Sequence, residues 1–383
     1  MKYIVILGDG MADEEIEALG GMTPLQYADT PNMDYIAGEG RCGMLKTVPE
    51  GFEPGSDIAN LSVIGYDPAK CYTGRGPLEA VNIGVELDDN DIAYRCNLVT
   101  IMNGVMEDFS AGHISSNEGR QLIATLNEGI TGAVAYPGIS YRNLLVVNGG
   151  KGATTTPPHD IVGMEIDDYL PEGGDRDILL QCMEASSKAF EKHPANKERI
   201  KKGLNMATGI WPWSGGKKPT LESFKTKYGL RGGMISAVDL LNGIARAAGM
   251  KVISVPGATG YLDTDYEAKM RYALDAIKDL DYVYVHVEAP DEAGHLGDIE
   301  EKVRAIERLD KAIGIVLKGF DGVVAVLPDH PTPIHLKTHT SDPVPFAILG
   351  KGKDGCRSFC EKEAKNGSFG LIYGQEFILN LIS

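Results

Sequence analysis

Asp291 and His295 stand four residues apart in YVYVHVEAPDEAGH, residues 282–295. If a helix begins at Pro290, a residue suited to the first helical position, both side chains share one face. A carboxylate and an imidazole held that way form half of a divalent-metal site. An exposed first turn with an acidic helix start would also account for them. Two other apolar runs end the same way. YIVIL, residues 3–7, leads into Gly8-Asp9-Gly10, and VVAVL, residues 323–327, leads into Pro328-Asp329-His330. His335 and His339 follow in HLKTH. Asp9, Asp291, His295, Asp329, His330 and His339 are enough donors for two neighbouring ions.

Ser56 is the candidate nucleophile. Pro54-Gly55 makes a turn, and Ser56 falls at a helix N-cap position before IANLSVIG. A plain capping serine explains this position. A hydroxyl that faces free backbone N–H groups and the positive end of a helix dipole also suits a phosphoserine. Metal coordination would activate it as an alkoxide.

The elements that must position these residues are strands. In open parallel α/β sheets, ligands lie beyond the carboxyl ends of the strands. Amphipathic helices in residues 264–279 and 299–317 flank the 282–287 run, an alternation that implies a mostly parallel sheet. With 383 residues, two domains are expected. Residues 1–87 and 186–383 would form the main domain. Residues 88–185, with alternating short strands and helices, would form an inserted smaller α/β domain. Ser115 to Glu118 reads as a capping box there. The insertion carries His113, Arg120, Arg142 and His159, each of which is also explained as an ordinary solvated residue.

A net charge of −17 argues against a nucleic-acid partner but leaves room for a phosphorylated ligand held by a few cations. Six cysteines with no CxxC pair read as reduced thiols, hence a cytoplasmic protein. No run approaches membrane-spanning length, and the amino-terminal apolar run is too short for a signal peptide. Gly8-Asp9-Gly10 does not open a dinucleotide fingerprint, because Asp13 stands where the last glycine belongs. No P-loop motif is present. Gly215-Gly216-Lys217-Lys218 is either a phosphate-holding loop or a surface turn.

The motifs LGDGMAD, EPGSDIANLSVIGYDP, SAGHIS, PPHDIVG, VPGATGYLDT, HVEAPDEAGHLGD, LPDHPTPI and THTSDPVPFAI together resemble the archaeal-type cofactor-independent phosphoglycerate mutases, of the alkaline phosphatase superfamily. The resemblance runs along essentially the whole chain. It implies an alkaline-phosphatase-like α/β fold and interconversion of 2-phosphoglycerate and 3-phosphoglycerate through a phosphoserine, without 2,3-bisphosphoglycerate. It implies two divalent ions, Mn²⁺ or Zn²⁺, with Mg²⁺ a further candidate. By motif position, Asp291, His295 and His339 resemble the ligands of one ion, and Asp9, Ser56, Asp329 and His330 those of the other. His113, Arg142 and His159 resemble substrate-binding residues, and Lys227 a lysine that bridges the phosphate. The residues near Lys217 depart from the arginine pattern of the longer bacterial-type enzymes. Two other activities share the site: transfer to another small hydroxyl acceptor such as homoserine, and metal-dependent phosphate hydrolysis. A non-catalytic metal-binding protein would have no need of Ser56.

Overall fold

The apolar runs singled out above become three adjacent strands, Tyr282–Val287, Tyr3–Gly8 and Val323–Leu327, paired in parallel. All their side chains are buried, as expected where helices cover both faces of a parallel sheet. The register sets Leu7 beside His286 on one side and Leu327 on the other, so the three chains leave the sheet at one edge. The computed structural model describes residues 1–383. The full sheet has eight strands, in the order Lys251–Val252, Gly232–Ile235, Tyr282–Val287, Tyr3–Gly8, Val323–Leu327, Val344–Leu349, Arg41–Lys46 and Leu371–Tyr373. Only Val344–Leu349 runs against the rest.

The helix Ile299–Gly319 starts where Asp298 accepts the Glu301 N–H at 2.9 Å. Its Ile306, Leu309 and Ile313 pack with Met270 and Ala273 of the helix Tyr266–Ala276, and with Ile4, Ile6 and Val285 of the sheet. No helix is long and apolar enough to cross a membrane.

The chain divides into two compact units, Met1–Tyr72 with Leu221–Ser383, and Thr73–Thr220. The second unit is therefore wider than the 88–185 insertion expected from the sequence. Its strand Gly209–Gly216 pairs with Ile92–Met102, which draws residues well past 185 into the same sheet. Upstream, Ala80 of the helix Arg75–Ile83 packs on Ala93, Leu144 and Val146. This unit is a five-stranded antiparallel sheet. Leu122 and Leu126 of the helix Ser116–Asn127 and Leu179 of the helix Arg176–Phe190 cover one face. The capping box at Ser115 and Glu118 is formed.

Candidate active site

In the first unit, Asp9 follows the first strand directly, and Gly10 makes the turn with φ +57°. A Cβ at position 10 would lie 2.4 Å from Asp291 Oδ1 and 2.5 Å from Thr332 Oγ1, so the close approach of these loops requires glycine. The Gly10 N–H donates to Asp329 Oδ1 at 3.1 Å, tying the turn after one strand to the turn after its neighbour.

The helix expected at Pro290 runs Ala289–Leu296 and does place Asp291 and His295 on one face, with His295 Nε2 3.2 Å from Asp291 Oδ2. His339 Nε2 stands 3.0 Å from His295 Nε2 and 3.5 Å from Asp291 Oδ1. A second group adjoins this one. His330 Nε2 is 3.4 Å from Asp9 Oδ1 and 3.6 Å from Asp329 Oδ2. Rings of His330 and His339 lie 4.1 Å apart, so the two groups are contiguous. Donor atoms of Asp9, Asp329 and His330 fall within 4.8 Å of one another, as do those of Asp291, His330 and His339. His335 is outside this arrangement, 60% exposed and 3.9 Å from Glu14.

Ser56 is the first residue of the helix Ser56–Val63, and Gly55 takes the cap position. The serine hydroxyl bonds to side chains rather than to a helix N–H. It stands 3.4 Å from Asp9 Oδ2 and 3.3 Å from His330 Nε2. The expected N-cap role is thus corrected: a glycine in extended conformation caps the helix, and the hydroxyl turns towards the ligand-type residues.

The electrostatics are those of an acidic site short of cations. Asp9, Glu288, Asp291 and Asp329 converge in a nearly dry space. Burial, followed by the charges of Asp329, Asp291 and Glu288, pushes the Asp9 carboxyl well above its usual range. Asp9 Oδ1 and Glu288 Oε2 are buried and accept no hydrogen bond. His330 Nε2 stands 3.4 Å from Asp9 Oδ1 without bonding to it, and such orphaned carboxylate oxygens are costly in an apolar interior. Burial also opposes ionisation of Asp291. Hydrogen bonds from His295 and His339 and the charge of His330 outweigh it and hold Asp291 well below the carboxylate range. His295 is pushed up to about 9, first by its bond to Asp291. A buried group, Asp9, Asp329 and His330, with an orphaned carboxylate oxygen, and a second group, Asp291, His295 and His339, whose imidazoles reach towards solvent, fit divalent cations with mixed N/O preference.

Several residues of this site were not read from the sequence. His286 lies inside the strand, with Nε2 2.9 Å from Asp9 Oδ2 and its own carbonyl bonded to Lys269 Nζ. Burial lowers the imidazole to about 3, so it is neutral. Asn60 donates to Asp329 Oδ2 at 2.7 Å and to the Ser56 carbonyl at 2.8 Å, and its Oδ1 accepts the Tyr284 hydroxyl at 2.6 Å. Those three bonds fix the amide orientation and couple the Ser56 helix to Asp329. Thr332 donates to Asp291 Oδ1 at 2.5 Å. The available signal was polarity out of pattern: a histidine inside an apolar strand, and an asparagine one turn beyond Ser56. Lys227 is engaged elsewhere. Its ammonium donates to the Gly65 carbonyl at 2.7 Å and lies over the Tyr66 ring at 4.6 Å.

In the second unit, His113, Arg142 and His159 are joined by aromatic rings. Arg142 donates to the Tyr141 hydroxyl at 3.3 Å, and the His113 ring meets Tyr141 edge-on at 5.9 Å. Phe109 lies 5.7 Å from Tyr141 and 6.1 Å from His159. His159 in turn meets Trp213 at 5.2 Å. Arg95 stacks on the other side of the group, 4.4 Å over Trp213 and 2.9 Å from Glu79. Burial, partly offset by Asp160 and reinforced by Arg95 and Arg75, lowers the His159 pKa. Arg75 and Arg95 join this cationic group without having been expected.

A family profile described as 2,3-bisphosphoglycerate-independent phosphoglycerate mutase matches residues 37–196. A protein of that name from Methanosarcina acetivorans is 53% identical over 395 residues, covering 100% of both chains. Another from Methanothrix thermoacetophila is 51% identical over 391 residues, again covering 100% of both. Among solved structures, a cofactor-independent phosphoglycerate mutase from Thermoplasma acidophilum superimposes with a TM-score of 0.69. It is 27% identical, and the match covers 100% of this chain and 99% of the other.

Proposed function

The chain belongs to the 2,3-bisphosphoglycerate-independent phosphoglycerate mutase family, and from that premise we propose that Ser56 carries the phosphoryl group between the 3- and 2-positions of glycerate. The observation that carries this reading is the Ser56 hydroxyl itself. It has no capping role, and it faces Asp9 and His330 at 3.4 and 3.3 Å from the first turn of its helix.

Ser56 Oγ attacks the phosphorus of 3-phosphoglycerate, and the bond from phosphorus to the glycerate 3-oxygen breaks. The Ser56 hydroxyl loses its proton as it attacks, and the departing oxygen takes up a proton in exchange. The product is phosphoserine and glycerate. After the glycerate turns, its 2-hydroxyl attacks the phosphoserine, the proton of that hydroxyl is lost, and Ser56 is regenerated. The first-turn N–H groups of the Ser56 helix face the transferring group and stabilise its charge. Asp9 Oδ2 faces the Ser56 proton. Asn60 fixes the backbone of Ser56 relative to Asp329, which keeps the nucleophile in line.

Asp291, His295 and His339 would hold one divalent ion, and Asp9, Ser56, Asp329 and His330 the other. When bound, two such ions neutralise phosphoryl charge and lower the pKa of the serine hydroxyl. The imidazole-rich set suits Mn²⁺ or Zn²⁺ better than Mg²⁺. We assign the Thr73–Thr220 unit to substrate binding. Its His113, Arg142 and His159 group, with Arg95, offers cations and ring edges to a small phosphorylated hydroxy acid. The free state of all six cysteines fits the cytoplasm.

An enolase-coupled assay with 3-phosphoglycerate tests the function. Activity should need no 2,3-bisphosphoglycerate, disappear after chelation, and return with Mn²⁺. Undiminished activity in metal-free protein would overturn the mechanism. Faster transfer to homoserine would overturn the substrate.

A further inference from the structure

Apart from the Asp/His groups, one other set of metal-type side chains converges in the first unit. We propose that Cys42, Asp354, Cys356 and Cys360 form a closed thiolate site for a soft divalent cation of the zinc type. The Cys42 and Cys356 sulfurs and a carboxylate oxygen of Asp354 all lie within 4.8 Å of one another. Cys360 is close enough for its charge to act on Cys42. All three cysteines are buried, at 1%, 7% and 4% exposure.

The donors come from two segments far apart in the chain. Cys42 is the second residue of the strand Arg41–Lys46. Asp354, Cys356 and Cys360 come from one loop, with Gly355 at φ +93° making the bend between the first two. Asp354 arranges the group. Its Oδ2 accepts the Cys42 N–H at 2.8 Å, the Ser368 N–H at 2.8 Å and the Ser368 hydroxyl at 3.1 Å. Its Oδ1 accepts the Cys356 N–H at 3.2 Å, and the Cys356 thiol also bonds to this carboxylate.

The Cys42 and Cys356 thiols bond to each other, and Cys356 also bonds to the Asp354 carboxylate; the other sulfur contacts are long. Cys42 Sγ is 3.8 Å from the Ala37 carbonyl, Cys356 Sγ 3.5 Å from the Glu363 carbonyl, and Cys360 Sγ 3.9 Å from the Ser358 hydroxyl. Zinc–sulfur and zinc–oxygen bonds of about 2.3 and 2.0–2.2 Å require donor separations of roughly 3.5–3.8 Å. The Cys42, Asp354 and Cys356 donors are therefore within a small side-chain adjustment of such separations, and Cys360, which lies outside that trio, would turn in to close the site. Three thiolates and one carboxylate carry the same charge as a four-cysteine zinc site. Each thiol would release its proton to solvent as the ion binds.

Such an ion would pin the 354–360 loop to the sheet. The next residue, Glu361, accepts the Thr23 hydroxyl at 2.7 Å and the Asp13 N–H at 3.3 Å, so the loop also anchors the segment after Asp9.

The test is Co²⁺ reconstitution of the full-length, metal-stripped, reduced protein. A sulfur-to-cobalt charge-transfer band in the near ultraviolet should appear, because the Asp/His groups contain no sulfur. The Asp9→Asn/Asp291→Asn protein should keep this band with one equivalent of Co²⁺, whereas Cys42→Ser and Cys356→Ser should lose it. Absence of the band from wild type overturns the proposal whatever the variants do. So does a band that survives Cys42→Ser, or a Cys42–Cys356 disulfide found by mass spectrometry in protein purified under reducing conditions. None of these outcomes bears on the two-ion reading of the active site.

Discussion

Replacing Lys302 with methionine should unfasten the loops that carry Asp9 and His330. Lys302 is fully buried, and its ammonium donates to Asp13 Oδ2 at 2.7 Å, the Thr332 carbonyl at 2.8 Å and the Ala12 carbonyl at 3.2 Å. Two of these partners lie just after Asp9 and the third just after His330. Methionine keeps the packing volume but leaves the Asp13 carboxylate with only N–H donors, from Ile334 at 3.2 Å and Glu14 at 2.8 Å. Removing one partner of a buried ion pair costs about 3–5 kcal/mol. The expected loss for Lys302→Met is therefore about 3–5 kcal/mol in the first unit. The double variant Asp13→Asn/Lys302→Met should lose less than the sum of the single changes, by about 2 kcal/mol. Both tryptophans, Trp211 and Trp213, belong to the second unit, which supplies an internal control. In urea titrations the circular-dichroism transition of the first unit should move to lower denaturant, while the tryptophan-fluorescence transition stays in place. Additive single-variant effects, or a loss below about 1 kcal/mol of the kind surface pairs give, would refute the strap.

Two further outcomes follow from the same geometry. His295→Ala and His339→Ala should each lower the number of tightly bound ions measured by elemental analysis, whereas His335→Ala, whose ring faces Glu14, should not. Arg142→Ala should divert flux from product to free phosphate in ¹⁸O-water, by about tenfold if the arginine contributes about 1.4 kcal/mol to holding glycerate against hydrolysis; unchanged partitioning would remove Arg142 from that role.

The convergence of Asp9, Asp291, Asp329, His330 and their neighbours was legible because one physical rule gathers them. Each follows a buried parallel strand, and the register of such strands brings their carboxyl ends to one edge. His286 was not legible, because it sits within an otherwise apolar strand, and period alone gives no reason why it should face Asp9. Asn60 was hidden by an ordinary helical context; its role depends on Tyr284 and Asp329, which are 224 and 269 residues away. The unit boundary was misplaced for a similar reason. Trp211 pairs with Asn97, and a strand returning to a sheet after so long a connection leaves no local trace. Gly55 rather than Ser56 caps the helix, a one-residue difference that frees the hydroxyl. Lys227 fits its motif by local sequence, yet Gly65 and Tyr66 hold its ammonium.

The central claim is that phosphate passes through Ser56, and rapid acid quench with phosphoryl-labelled 3-phosphoglycerate tests it most directly. Peptide mapping of the quenched wild-type protein should place the label on Ser56. Ser56→Ala should take no label and show no turnover, with stability lowered by less than about 1 kcal/mol because its hydroxyl caps nothing. Label on His330 or His113, or turnover surviving in Ser56→Ala, would contradict it.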